Sequence, residues 1–520
     1  MANTQASLDK ITAWAKRRGF VYPSSTIYGG MANVYDFGPY GATLKDNLRN
    51  IWLTQFRDNR EDIYVIDSSV ILNPAVWEAS GHTAGFADVM VEDIVTKKRY
   101  RADHLIEEKL EKMSVEDRKQ LAIDADHKIF FGQANEELNE LAVQSSVSGV
   151  VSENDLNPKA AAIEHSKVDG YTPEEMGKLI GLFAEIGKPL KSPDGNPLNE
   201  PRSFNQLFET EVGIVTGSKN KAYLRGEIAQ GLFMNFKNII DSFHPKLPFG
   251  IGQVGKAFRN EITPGKFTFR TLEFDLMEFE YFFNPELLNW NDLFEVWKAE
   301  MQQFSKTIGL KQENLRWRAH EDFERSFYST RTEDLEYEFP WGFKEMWGIA
   351  YRTDYDLKNH QQKSGQDLQY VYPDGKKLLP HVIEPTFGLS RLVTVAIFDA
   401  YNEEETKPGE TRVVLKFDPK IAPVQVAVFP LLKKEELVRK AELVYANLKS
   451  KFRTEFDNAG NIGKMYRRQD EIGTPYCVTI DFDTLESDIV TVRDRDSMQQ
   501  IKLNINELET WLQDNLELTK

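Results

Sequence analysis

"FRNEITPGKFTFRTLEFDLMEFEYF", residues 258–282, sets Arg259, Glu261, Arg270 and Glu278 among phenylalanines and leucines at strand-like spacing. Burying charge is costly unless it is paired or bound, so such a strand is either half solvated or built around a polar ligand. Residues two apart on a strand share a face. Arg259 and Glu261 therefore point the same way on the first arm, and Arg270, Phe274 and Glu278 on the second. Pro264 and Gly265 supply a turn between the arms. Two guanidinium groups, two carboxylates and a ring on one surface suit a nucleotide: cations for phosphate, a ring for a purine, carboxylates for an amino group. A cross-strand ladder of ion pairs would use the same residues, and the hairpin alone leaves both readings open.

A second stretch bears on the choice. "PTFGLSR", residues 385–391, puts Gly388 and Arg391 just before the apolar helical run "LVTVAIFDAY". Glycine permits close approach of backbone to a ligand, and Arg391 adds a third cation. An ordinary turn and helix start would look the same.

The 520 residues, 41% of them hydrophobic, are enough for two to four domains with large cores. The first 20 residues lack a signal-peptide apolar stretch, and no run of about 18 apolar residues could span a bilayer, so a soluble intracellular location is expected. The single cysteine, Cys477, excludes an internal disulfide and a cysteine-cluster zinc site. The net charge of -17 speaks against a nucleic-acid partner at first sight. Yet residues 102–200 hold 20 acidic against 10 basic side chains, a net of -10, so the rest of the chain is only mildly acidic and can carry basic patches.

Along the chain, a helix is expected over 6–20, a Gly- and Tyr-rich loop after it, and a helix with Leu44, Leu48, Ile51, Trp52 and Phe56 on one face. "DIYVIDSSVILNP" reads as a strand ending at Pro74. Residues 102–200 read as a helical insertion, with "HLIEEKLEKM", "NEELNELAVQ" and a helix capped by Thr172, Pro173 and Glu175. Strands dominate from Phe204 to Tyr401, "NEEETKPGETR" reads as a surface loop, and residues 423–520 alternate strands and helices as a separate α/β domain.

Together these motifs resemble a known family. "AFRNEI" with "FRTLEF" resembles motif 2 of the class II aminoacyl-tRNA synthetases, "EPTFGLSR" their motif 3, and "DSSVILNPAVW" their motif 1, the dimer element. "GFVYPSSTIYGG", "NPAVWEASGH", "RYRADHLIE", "VGKAFRNEITPG", "MWGIAYRTDYDL" and "YRRQDEIGTPYCVTIDFD" are similar to the homodimeric glycyl-tRNA synthetase family, in order as well as content. The resemblance implies an α+β fold: a class II antiparallel sheet flanked by helices over 1–101 and 201–422, interrupted by the 102–200 insertion and followed by an anticodon-binding domain at 423–520. It implies a cytoplasmic homodimer that joins glycine to tRNA(Gly) through a glycyl-adenylate, consuming ATP.

By the same resemblance, Arg259 holds the α-phosphate, Glu261 reads the adenine amino group, Phe274 stacks on adenine, and Arg270 and Arg391 grip the outer phosphates. Arg259 and Arg391 are the implied catalytic pair. Asn260, Phe269, Thr271, Leu272, Glu273, Met346, Gly388, Leu389 and Ser390 complete the implied ATP site, with Glu345 the candidate magnesium contact. Glycine is assigned Arg101, Glu227, Phe274, Asp275, Leu276, Met277, Glu278, Glu384, Pro385, Thr386, Phe387 and Gly388. Carboxylates suit its ammonium group, a cation suits its carboxylate, and a filled pocket rejects any larger side chain. In the last domain Arg467, Arg468, Arg493 and Arg495 are candidates for RNA phosphates or bases, and Tyr466 or Tyr476 for stacking; a surface ion pair or a core position is the alternative for each.

Three positions depart from the family's usual RPETAQ, EPS and GxDR patterns: Gly226 in "RGEIAQ", Thr386 in "EPT" and Ser390 in "GLSR". All bear on glycine affinity and rate. The insertion suits a tRNA-contacting or structural element and a solvated acidic face equally. The competing functions are another class II synthetase, for threonine, proline or serine, and a non-catalytic synthetase-like nucleic-acid-binding protein.

Overall fold

The computed structural model describes residues 7–85, 87–130, 156–168, 170–213, 220–261, 266–321, 325 and 328–516. Its centre is a seven-stranded sheet. In chain order the strands are β1 (Ile63–Val65), β2 (Phe249–Phe258), β3 (Glu273–Phe283), β4 (Leu315–Ala319), β5 (Arg331–Phe339), β6 (Gly342–Thr353) and β7 (His381–Gly388), and in space they run β4-β5-β6-β7-β3-β2-β1. All neighbours are antiparallel except β1 and β2, which are parallel.

The two faces of the sheet differ, because alternate residues point opposite ways. Met277, Phe279, Tyr281 and Phe283 of β3, Ile383 and Phe387 of β7, and Trp347 and Ile349 of β6 pack on one face. Helices α1 (Pro39–Leu53), α2 (Trp290–Thr307) and α3 (Leu389–Ala400) cover that face through Leu44, Leu48, Trp52, Trp297, Phe304 and Leu392. Phe282, Val382 and Phe249 belong to the other face, under the helix Ala229–Phe243 and Leu357 of the helix Tyr355–Ser364. The charged residues Glu278, Glu280, Glu384 and Arg352 share the parity of this second face, which is where the site forms.

The start of α1 lies so close to the N-terminal segment that a Cβ on Gly41 would stand 1.9 Å from the Phe20 carbonyl oxygen. Backbone cannot yield as a side chain can, so Gly41→Ala should cost about 1–3 kcal/mol, the scale of overpacking. A fall in unfolding temperature checks this.

Residues 102–200 are threaded between the strands Arg99–Arg101 and Arg202–Asn205, both of which are in a sheet with Ala87–Glu92. The helices Ala102–Glu111, Val115–Ala125 and Pro173–Glu185 share a core of Ile106, Leu110, Leu121, Leu179 and Phe183. Thr172, Pro173 and Glu175 form the expected capping box. "NEELNELAVQ" and the Pro264–Gly265 turn lie outside the described residues.

Three expectations need correction. "DIYVIDSSVILNP" is not one strand: β1 and Ile71–Leu72 belong to different sheets, and Pro74 opens a helix, Pro74–Ala79, capped by the Asn73 side chain. "NEEETKPGETR" is not a loop but part of a hairpin, Tyr401–Lys407 with Glu410–Leu415. It is held by Arg412, which donates to Asp470 Oδ2 at 3.1 Å and to the Arg495 carbonyl at 3.0 Å. The Gly- and Tyr-rich segment contains short paired strands, Val21–Pro23 and Tyr35–Phe37.

The C-terminal unit is a five-stranded mixed sheet, Val426–Pro430, Thr454–Phe456, Tyr476–Ile480, Ile489–Asp494 and Gln500–Asn504, with flanking helices. No helix among the described residues is long and apolar enough to cross a membrane.

Candidate active site

A cavity of about 300 Å³ opens on the second face of the sheet, a volume at the lower end of small-molecule sites. Its lining combines the hairpin with both flanking strands. Arg259, Glu261, Phe269, Arg270, Thr271 and Phe274 come from the hairpin; Glu345 and Met346 from β6; Gly388, Ser390 and Arg391 from the end of β7 and the start of α3. Asp275, Leu276 and Glu278 of β3, Glu384 and Thr386 of β7, and Glu227 complete the expected members.

Neither Arg259 nor Arg270 lies within a strand, since β2 ends at Phe258 and β3 begins at Glu273. The rims of the hairpin nevertheless bring them together. The Arg259 guanidinium stands 5.5 Å from the Phe274 ring centroid, and its Nε donates to the Gly226 carbonyl at 2.9 Å. Arg270 Nε is 3.8 Å from Glu261 Oε2. Across the cavity Arg391 lies over the Phe269 ring at 4.6 Å, pairs with Glu345 Oε1 at 2.9 Å and donates to the Glu345 carbonyl at 2.9 Å. The Ser390 hydroxyl accepts from the Asp275 amide at 2.9 Å, and Lys45 pairs with Asp275 Oδ2 at 3.0 Å.

Eight expected residues are not in the lining. Met277, Pro385 and Phe387 have the opposite strand parity, and Met277 and Phe387 are core residues beneath the helices, as is Leu389. Leu272 serves through its backbone: its amide donates to the Asn33 carbonyl and its carbonyl accepts from the Arg259 amide, both at 3.0 Å. Glu273 is exposed and pairs with Lys256. Asn260 donates its amide to the Gln206 carbonyl at 2.8 Å. Arg101 is engaged by Asp88 at 3.1 Å and by Asp103.

Thr268, His320, Tyr328, Thr332, Asp334 and the β6 stretch Trp347–Ala350 also line the cavity but were not singled out. Behind it lies a buried polar network. Arg352, fully buried, donates to Asp356 from Nε and Nη2 at 2.8 and 2.9 Å, and to Glu384 Oε2 from Nη1 at 2.9 Å. The Tyr328 ring lies 3.8 Å from its guanidinium. Gln230 Nε2 donates to Glu227 Oε1 at 3.0 Å and to Asp356 Oδ1 at 2.9 Å, and His360 donates to Gln230 Oε1 at 2.7 Å. His82 Nε2 stands 3.1 Å from Glu227 Oε2 and its Nδ1 2.8 Å from the Ser80 hydroxyl. The one sequence signal for this network was the i, i+4 pair Arg352 and Asp356 in "YRTDYD".

The network divides the carboxylates. Burial opposes the charge of Glu227, but His82, Arg352 and Gln230 outweigh it and hold Glu227 well below the ordinary carboxyl range. Burial, reinforced by Glu384, pushes Glu278 and Glu280 well above that range. Burial also pushes His360 down to about 4, so it is neutral near pH 7. Such a divided set of carboxylates in one cavity with three arginines is a mark of a functional site.

In the C-terminal unit the structure puts two of the candidate RNA contacts at the core positions that were their alternative. Arg493 and Arg495 are buried: Arg493 donates to both Asp470 oxygens at 2.8 and 3.1 Å, and Arg495 to the Gly473 and Phe417 carbonyls at 2.8 Å each. Tyr466 packs edge-on to Phe429 and bonds Thr479 at 2.6 Å. Arg467 pairs with Glu410 and Arg468 with Asp457.

Residues 425–515 match the family model described as an anticodon binding domain. The fold is similar to that of a prolyl-tRNA synthetase from Cryptosporidium parvum, with a TM-score of 0.58 over 99% of this chain and 79% of that one, at 13% identity. Glycine–tRNA ligases from Caldanaerobacter subterraneus subsp. tengcongensis and Clostridium acetobutylicum are each 43% identical to it, over 515 and 518 residues and 99% of both chains. One from Acetivibrio thermocellus is 43% identical over 98% of each. With likeness at that level from end to end, the class II synthetase architecture is the expected one, and the chain belongs to the glycine–tRNA ligase family.

Proposed function

We propose that this chain joins glycine to tRNA(Gly) in two steps at the cavity. The glycine carboxylate attacks the ATP α-phosphorus and pyrophosphate leaves; the tRNA 3'-terminal hydroxyl then attacks the glycyl carbonyl and AMP leaves. The observation that carries the reading is that Arg259 and Arg391, 132 positions apart by their numbers, line one cavity with the buried carboxylates Glu227, Glu278 and Glu384.

Phosphate transfer of this kind needs alignment and charge stabilisation more than covalent help. Arg259 would meet the α-phosphate and Arg270 and Arg391 the outer phosphates, while Phe274 would offer a ring to adenine and Glu261 an acceptor for its amino group. Glu227, Glu278 and Glu384 take the ammonium group. Thr386, Gly348 and Ala350 line the wall nearby, and discrimination against larger amino acids would be steric, by a pocket that glycine fills.

Magnesium would offset the charge of the phosphates. Glu345, half-exposed at the wall beside Arg391, is a hard oxygen donor that fits such an ion. The C-terminal domain would read the tRNA, with Arg467 and Arg468 the remaining exposed or half-exposed candidates. A cytoplasmic homodimer completes the proposal, supported by the motif-1-like segment at 67–77.

Glycine and ATP together should raise the unfolding temperature, since a ligand at 100 times its Kd adds about 2.7 kcal/mol. Glycyl-tRNA should form when tRNA(Gly) is supplied. No thermal shift at saturation and no charging would contradict the proposal.

A further inference from the structure

Glu278, Glu280 and Glu384 have carboxylate oxygens that all lie within 4.8 Å of one another. Glu278 is 1% exposed and Glu280 0%, and Glu278 Oε1 and both Glu280 oxygens have no hydrogen-bond partner. Buried carboxylates at this spacing cannot all carry charge unless cations match them.

The surrounding groups do not supply enough. Arg352 of β6 is shared between Asp356 of the following helix and Glu384. Arg225 gives its guanidinium to the Lys256 and Ser68 carbonyls, at 2.6 and 2.9 Å. His82 and Gln230 serve Glu227. His360, pushed down to about 4, brings no charge at neutral pH. Five carboxylates, Glu227, Glu278, Glu280, Glu384 and Asp356, thus face the shared Arg352 guanidinium, one histidine and the charge of Arg225, which acts on Glu278 but bonds none of the five.

Resting on the glycine-binding reading above, we propose that in the ligand-free site Glu278 and Glu384 share a proton, and that the incoming ammonium group replaces it. One proton then passes to solvent for each glycine bound. Glu280, which does not line the cavity, keeps its own proton throughout and leaves the ammonium charge to Glu278 and Glu384 beside the already ionised Glu227. The upward displacement of Glu278, Glu280 and Glu384, caused chiefly by burial, agrees with this. The arrangement also favours a cationic amine over a neutral ligand, because only a cation can take the proton's place.

Calorimetric titration of glycine into the full chain, in two buffers of different ionisation enthalpy, counts the protons. The expected result is about one proton released, with glycine affinity rising about tenfold per pH unit while the free pair holds its proton and levelling off above. Heats independent of buffer, with a flat affinity, would overturn the inference while leaving glycine binding intact; absence of glycine binding would instead remove the reading beneath it. Glu278→Gln should bring the release near zero, whereas an unchanged release would assign the proton to another group, such as His82, and reject the pair. Should that variant not bind glycine, infrared difference spectra of the unmodified protein decide: adding glycine must produce a negative protonated-carboxyl band, while the unchanged Glu280 cancels, and a difference spectrum with no such loss refutes the proposal.

Discussion

Arg259→Ala is expected to slow glycine-dependent ATP–pyrophosphate exchange by about 10²–10³-fold, the cost of removing one preorganised donor from a developing phosphate charge. The side chain stands over Phe274 and is steadied by the Gly226 carbonyl, so its direction is set before a nucleotide arrives. Arg259→Lys should recover little, because an ammonium group cannot reproduce the planar fork that meets two phosphate oxygens. The unfolding temperature without ligands should stay close to that of the unmodified chain, since Arg259 is only half-buried. Full exchange activity in Arg259→Ala would take the α-phosphate away from this residue.

Arg352→Met should destabilise the catalytic unit by about 3–5 kcal/mol, the usual result of stripping one partner from a buried ion pair. Asp356 and Glu384 would be left without their cation at 1% and 9% side-chain exposure. The loss should grow with pH. In the variant Glu384, raised by burial even beside Arg352, holds its proton to a higher pH when folded than when unfolded. Stability is therefore retained below the unfolded value, about 4 for Asp and Glu, and falls as pH rises from there towards the raised folded value. Thermal unfolding at pH 5 and pH 8 checks the sign. The glycine KM should rise with little change in the ATP KM, because Arg352 holds Glu384 and touches none of the expected nucleotide residues. Equal stability at both pH values would mean that the network is solvated and carries no such strain.

The two-residue alternation made part of this site legible. Phe274 and Glu278 share a face of β3 as their spacing requires, and the arginines at the hairpin's rims reach the same cavity although neither is in a strand. The same alternation shows why Met277 and Phe387 are not in the lining: an unbroken motif spans both faces of its strand, and every second residue of it belongs to the core. Arg352, His82, Gln230, Asp356 and His360 come from separate segments, and no local pattern says that they meet. Asn-Pro at 73–74 was read as the end of a strand when it was equally the start of a helix. Within "NEEETKPGETR" the charge concealed a hairpin whose pairing is set by backbone bonds and by Arg412 reaching into the next domain. Arg493 and Arg495 looked like RNA ligands because charge is visible in a sequence and burial beside Asp470 and backbone carbonyls is not.

The central claim is that arginines from distant segments close on one triphosphate so that the smallest amino acid is activated beside buried carboxylates. ATP–pyrophosphate exchange across a panel of amino acids tests it most directly. Exchange stimulated by glycine and scarcely by alanine, serine, threonine or proline is the expected result. Stimulation by threonine, proline or serine but not glycine, or by none of them, would contradict it.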